Sequence, residues 1–274
     1  MVLGFVAAAL VASANYVLNE WLDAATDHFH PHKSARPAVQ KRLSRTLVCG
    51  EYFALLGLGL GLSYAVDRLF LLAAVAFAIS GAVYNIRPLR LKEVPFLDVV
   101  TESANNPIRL ILGWAMVNGA TLPPSTLLLS YWMGGAFLMA IKRFAEIRSV
   151  SAFDPDALVR YRRSFAGYSE ASLLISAFMY ALMASFFLAI FLVKYRIEYL
   201  LAFPVMAALF GLYLAIGLRP ESAAESPEGL FRNLPLMITV ALLVAVLLVL
   251  SWVDVPILDQ LTSPHYISLP WGDH

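Results

Sequence analysis

Leu242-Leu243-Val244-Ala245-Val246-Leu247-Leu248-Val249-Leu250 is an unbroken apolar run inside a longer apolar segment at 233–253. A strand of a membrane barrel would alternate its residues over roughly ten positions. This run does not alternate, so it reads as a membrane-crossing helix. A bilayer core about 30 Å thick needs about 20 mainly apolar residues per helix. Working toward the N-terminus, seven further segments fit: 198–218, 170–193, 126–145, 106–122, 69–87, 47–66 and 2–20. The segment at 106–122 is the weakest, because Pro107 and Arg109 stand in its first turn. Composition agrees: 60% of the 274 residues are hydrophobic and 14% are charged, against about 25% charged in soluble domains. That balance excludes a disordered chain and argues against a soluble enzyme. A single cysteine, Cys49, excludes a disulfide framework or a cysteine-based metal site. The expected fold is all-α, a polytopic transmembrane bundle of eight helices. One helical domain is expected at 1–254, followed at 255–274 by an extracytoplasmic interfacial tail with Tyr266 and Trp271.

Lys and Arg favour the cytoplasmic side of a membrane. The connections at 21–46, 87–105, 142–169 and 219–232 hold 16 of the 20, and the alternate connections with the tail hold 3. Arg109 is the remaining one, inside a helix. This asymmetry predicts a multi-pass protein of the cell membrane, with both termini outside and the charged face in the cytoplasm. Met1 would then begin outside, directly at an apolar helix. No basic stretch of a signal peptide precedes that helix. The expectation is one further helix upstream, with this chain N-terminally short.

The polar residues gather in two clusters. In the first, Asn19, Asp23 and Asp27 stand at i, i+4 and i+8, so one helical face presents an amide and two carboxylates. A basic turn follows: His30-Pro31-His32-Lys33-Ser34-Ala35-Arg36-Pro37. In the second, Asp98, Glu102 and Asn106 repeat that spacing, after a stretch with Arg90 and Lys92. Arg109 lies near the same face and deeper. A charge in the bilayer is costly and usually faces a bundle interior or cavity, so Arg109 is expected to have an anionic partner. A solvated helix end would explain the first carboxylates, and a structural ion pair with Arg109 the second.

Both clusters together suit another chemistry. Mg²⁺ is hard, octahedral and slow to dehydrate, and it uses one or two carboxylates with substrate phosphate oxygens. Two opposed carboxylate faces fit two such ions on a diphosphate, with Lys and Arg on the outer phosphate oxygens. The arrangement suits transfer from a diphosphate-activated donor to an acceptor, with a lipid entering sideways from the bilayer.

These residues resemble the UbiA superfamily of intramembrane prenyltransferases. The family pattern N-D/E-x-x-D-x-x-x-D is met by Asn19, Glu20, Asp23 and Asp27. Its second acidic motif is met by Asp98 and, with a substitution, Glu102. Tyr84 to Lys92 is similar to the family tract before that motif, with Asn85 where serine is common. The resemblance implies a nine-helix fold, of which the first would be missing here. It implies Mg²⁺, two ions bridging the donor diphosphate, held by Asn19, Asp23, Asp27, Asp98 and Glu102. It also implies catalytic work at Asp23, Asp98 and Arg109, a polyprenyl diphosphate donor and a polyprenyl lipid. Lys33, Arg36, Arg109 and Lys142-Arg143-x-x-Glu146 are similar to the decaprenyl-phosphate phosphoribosyltransferase group. That group transfers from phosphoribosyl diphosphate to a polyprenyl phosphate. Asn105-Asn106-Pro107-Ile108-Arg109 departs from its pattern, so both donors stay open.

Beyond the motifs, Lys142 and Arg143 read as a phosphate clamp, or as snorkelling cations with a local ion pair to Glu146. Tyr161 and Tyr168, in a loop with Arg162 and Arg163, are candidate substrate contacts that could cover the cavity. No nucleic-acid partner is expected. A transporter is the reading from another class, since transporters also place charges inside bundles. Both acidic motifs, however, lie at helix ends and not near the midplane.

Overall fold

The computed structural model describes residues 1–30, 33–41, 43–153, 157–219, 222–225 and 227–258. Pro31 and His32 of the basic turn, and the tail from 259 onward, lie outside the described residues. Among the described residues, nine longer helices carry the fold. They are α1 (Val2–Asp27), α2 (Arg45–Val66), α3 (Arg68–Asn85), α4 (Leu97–Ser103), α5 (Asn105–Ala115), α6 (Ser125–Phe153), α7 (Glu170–Tyr195), α8 (Phe203–Gly217) and α9 (Leu234–Leu250). Short helical turns fill several connections, and no strand occurs among the described residues.

Local chemistry explains where several helices begin. Ser44 Oγ accepts from the Leu47 amide before α2, and Asp67 Oδ1 from the Leu69 amide before α3. Ser169 and Ser172 cap each other's backbone amides at the start of α7. Asn233 Oδ1 accepts from the Leu236 amide at the start of α9. Each side chain satisfies an amide that the first helical turn leaves without a partner.

α1, α2, α3, α7 and the stretch Ile197–Gly217, which includes α8, are long and apolar enough to cross a membrane. α9 is apolar and shorter, and α6 is long but carries Lys142, Arg143, Glu146 and Arg148 in its second half. The segment expected as a span at 106–122 forms a helix only to Ala115. Eleven residues at 1.5 Å each reach about 16 Å, half of the bilayer core. The chain then turns through Asn118, Gly119 and the Pro123-Pro124 pair.

Polarity runs inside out relative to a soluble domain. Phe53, Leu58, Phe178 and Phe186 are exposed, whereas Asp98, Arg143 and Glu146 are at most 1% exposed. One apolar core joins α1, α3 and α5 through Ala7, Val11, Phe70, Ala74, Phe77 and Leu112. Small residues let these helices approach closely, the packing favoured in a membrane. At Gly59, an added Cβ would stand 2.8 Å from Val11 Cγ2, so α2 can meet α1 there only without a side chain. A second core joins α4, α6, α7, α8 and α9 around Ala136, Phe137, Ala140, Ile141, Ala177 and Ile216. A small cluster of Val150, Ala157, Tyr161 and Phe165 fastens the segment at 157–167 over the end of the bundle.

Candidate active site

Residues from all four Lys/Arg-rich connections line one cavity of about 1600 Å³ at one end of the bundle. This convergence is what alternating spans require. Among the described residues the lining includes ten Lys or Arg and six carboxylates.

α1 supplies the first wall. Tyr16, Asn19, Asp23 and Asp27 all line the cavity from its last turns. Arg90 holds φ at 34°, the left-handed region that non-glycine residues seldom occupy. Across this turn both Arg90 and Lys92 reach Asp23, with Arg90 Nη2 at 3.2 Å from Oδ1. Lys92 Nζ also donates to Asn85 Oδ1 at 2.7 Å and Asn19 Oδ1 at 3.3 Å. Burial pulls the Lys92 ammonium down to about 8, against the opposing pull of Asp23. Arg36 donates to Asp27 Oδ2 at 2.8 Å.

The opposite wall is built on Arg143 of α6. Its guanidinium donates to three carboxylates: Asp98 at 3.1 Å, Glu102 and Glu146. The Tyr84 hydroxyl accepts from Arg143 and Arg162 and donates to Glu102 at 2.6 Å. Glu146 accepts from Lys33 at 2.9 Å, and Lys33 also meets the Tyr161 hydroxyl. Burial holds the Tyr161 hydroxyl well above its ordinary range. Arg162 adds a bond to the Lys92 carbonyl at 3.3 Å, which joins the two walls.

Of the residues singled out from sequence, Asn19, Asp23, Asp27, Lys33, Arg36, Arg90, Lys92, Glu102, Lys142, Arg143 and Tyr161 share this cavity. Asp98 does not face it. Asp98 is fully buried behind Arg143 and accepts from Ser164 at 3.2 Å and from the Tyr168 hydroxyl. Tyr168 in turn accepts from the Phe96 amide at 2.7 Å, so it ties the loop to the start of α4. Arg109 stands apart as well. It makes no ion pair among the described residues, contrary to the expected anionic partner, and lies 5.3 Å over the Phe77 ring. Glu146 pairs with Arg143 and Lys33 and not with Lys142, because i, i+3 on α6 turns it inward. Tyr84 and Ser164 gained no role from sequence, and Arg162 was read only as part of a loop that could cover the cavity. Only the neighbouring motif hinted at Tyr84, and nothing marked Ser164.

The donor set suits Mg²⁺ on the α1 side. Asn19, Asp23 and Asp27 offer hard oxygens on one face, and Glu102 faces them across the cavity. No three acidic, His or Cys side chains converge on one point among the described residues. Mg²⁺ commonly takes one or two carboxylates and completes its shell with waters and phosphate oxygens. Asp98, enclosed by Arg143, Ser164 and Tyr168, does not offer a free oxygen in this arrangement.

The sequence is 33% identical over 149 residues to the nodulation protein NoeC of Azorhizobium caulinodans, covering 53% of this chain and 46% of that protein. It is 30% identical over 149 residues to the decaprenyl-phosphate phosphoribosyltransferase of Corynebacterium glutamicum, covering 53% of this chain and 43% of that protein. The chain spans less than half the length of these curated relatives. Its fold matches a UbiA homolog from Archaeoglobus fulgidus, solved bound to DMAPP and Mg²⁺, with a TM-score of 0.66 and 23% identity. That match covers 92% of this chain and 88% of the homolog. The UbiA prenyltransferase family matches residues 1–234. The chain is a member of the UbiA prenyltransferase family.

Proposed function

We propose that the chain transfers a group from a Mg²⁺-bound diphosphate donor to a lipid acceptor, at a cavity opening to the cytoplasm. One observation carries the reading: a carboxylate-bearing face of α1 and ten cations line a single cavity. Asn19, Asp23, Asp27 and Glu102 would hold the metal, with Asp98 acting from behind by fixing Arg143. Held there, Mg²⁺ would supply the charge neutralisation that makes diphosphate a better leaving group. Lys33, Arg36, Arg90, Lys92, Lys142 and Arg143 bind and orient the phosphate oxygens. The bond from donor carbon to diphosphate oxygen breaks with its electron pair leaving on diphosphate. An ionised phosphate oxygen of the acceptor then bonds to that carbon with no proton to lose, whereas a hydroxyl or carbon acceptor would give up its proton to the released diphosphate. Tyr161 and Arg162 stand over the cavity and exclude water from the reacting carbon.

The cation excess favours phosphoribosyl diphosphate as donor and a polyprenyl phosphate as acceptor, since these add two further anionic groups to a diphosphate. A polyprenyl diphosphate donor is the second reading, supported by the homolog solved with DMAPP and by an apolar groove beside the cavity. The test is incubation of the protein in vesicles with Mg²⁺ and each labelled donor, followed by mass spectrometry of the lipids. A phosphoribosyl lipid is the expected product. Release of no diphosphate with either donor would refute group transfer and return the transporter reading.

A further inference from the structure

Beside the charged cavity lies a second, apolar groove of about 250 Å³ between α1, α3 and α5. Ala8, Ala12, Phe77, Leu112 and Gly113 line it, and Arg109 is its one charged side chain among the described residues. Arg109 is exposed, and no described residue offers it an ion pair or hydrogen bond. Its depth follows from helix register. Asn15 Nδ2 donates to the Phe77 carbonyl at 3.0 Å, so the Phe77 ring that Arg109 covers lies near the level of Asn15. Asp23 is eight residues further along α1, about 12 Å toward the charged end. The two cavities share helix faces. Ala12, Tyr16, Asn19 and Asp23 follow one another at helical spacing, from the groove into the charged cavity.

A guanidinium whose one cation–π contact among the described residues is the Phe77 face is costly at that depth. An apolar groove with one cation at its upper end complements an apolar chain that ends in an anion. Lipid tails of the bilayer would fill the groove but leave Arg109 unmatched. We infer that Arg109 binds the phosphate of a single-chain lipid acceptor whose first units lie in this groove, and thereby distinguishes a lipid phosphate from the corresponding alcohol. The inference rests on the acceptor being a lipid phosphate, as in the reading above. It adds which residue reads that phosphate and from where the acceptor approaches the donor.

The test uses the full chain in phosphatidylcholine nanodiscs, with geranylgeranyl phosphate and geranylgeraniol as paired probes. Binding of phosphoribosyl diphosphate with Mg²⁺ is measured on the same samples. The protein is expected to prefer the phosphate by about tenfold or more, as for one charge-assisted hydrogen bond. Arg109→Met should remove that preference, Arg109→Lys should keep part of it, and donor binding should be unchanged in both. Arg109→Gln carries the same expectation as Arg109→Met if the latter does not fold. An added Cβ at Gly113 meets no atom within 4 Å, so Gly113→Trp should fill the groove and weaken both lipids without affecting the donor. A preference that survives the loss of charge, its absence in the unsubstituted protein, or unchanged lipid binding in Gly113→Trp would each overturn the inference. Arg109-dependent lipid selectivity without donor binding would overturn the donor reading alone.

Discussion

Glu146→Gln is the substitution whose consequence can be worked furthest from the structure. Glu146 is fully buried, and its two oxygens face Lys33 at 2.9 Å and Arg143. Gln keeps the shape but loses the charge, and its amide nitrogen must point at one of the two cations. Removing one member of a buried ion pair costs about 3–5 kcal/mol, because the other charge is left without compensation. The unfolding midpoint should therefore fall by at least about 6 °C, at about 2–4 °C per kcal/mol for a chain of this size. Function should fall too. Lys33 would keep only the Tyr161 hydroxyl, and Arg143 would be drawn toward Asp98 and Glu102. Loss of one charged hydrogen bond, about 1.5–3 kcal/mol, lowers kcat/KM for the donor by roughly 10–150-fold. Thermal unfolding in detergent and diphosphate release at varied donor concentration measure the two effects. Glu170→Gln is the control: Glu170 is 62% exposed and 4.0 Å from Arg148, so its loss should cost under about 1 kcal/mol. If Glu146→Gln matched that control in both assays, the account of Glu146 as organiser of the cations would be refuted.

The two acidic motifs should differ in how their neutralisation affects Mg²⁺ dependence. Asp23→Asn should abolish turnover and its Mg²⁺ dependence, and it should also lower the unfolding midpoint, because the buried Lys92 loses its carboxylate. Asp98→Asn should lower both turnover and the unfolding midpoint, because it uncouples Arg143, Ser164 and Tyr168; normal rates at limiting Mg²⁺ in Asp23→Asn would contradict the metal assignment. Tyr168→Phe removes the hydroxyl that links Asp98 to the Phe96 amide. It should cost about 1–3 kcal/mol and speed amide hydrogen exchange within 157–168, while exchange in α7 stays unchanged.

Several features of the protein were legible along the chain because they depend on neighbours in sequence. Apolar length specifies a membrane helix, since lipid leaves backbone groups no partner except within the segment. Spacing of four residues puts Asn19, Asp23 and Asp27 on one face wherever a helix forms. Lys and Arg in alternate connections announced the charged end, and the structure gathers those four connections around one cavity. The truncated helix at 105–115 was less legible. Its apolar content sufficed for a span, but the turn at 118–124 ended it first.

The site's inner wiring depended on three dimensions. Asp98 and Glu102 have the same spacing as Asp23 and Asp27, yet only Glu102 reaches the cavity. The choice was made by Arg143 and Tyr168, 45 and 70 residues away. Glu146 and Lys33 are 113 residues apart and meet only because α6 and the basic turn close over one space. Arg109 was expected beside an anion and lies instead over Phe77, because the break at Ala104 and the packing of α5 on α3 aim it into the apolar groove. Helical periodicity acts over one or two turns, so the order of residues along the chain is enough to set which of them share a face. Which of those residues meet a partner, and which are left for a ligand, follows from distances between helices that only the packed bundle defines.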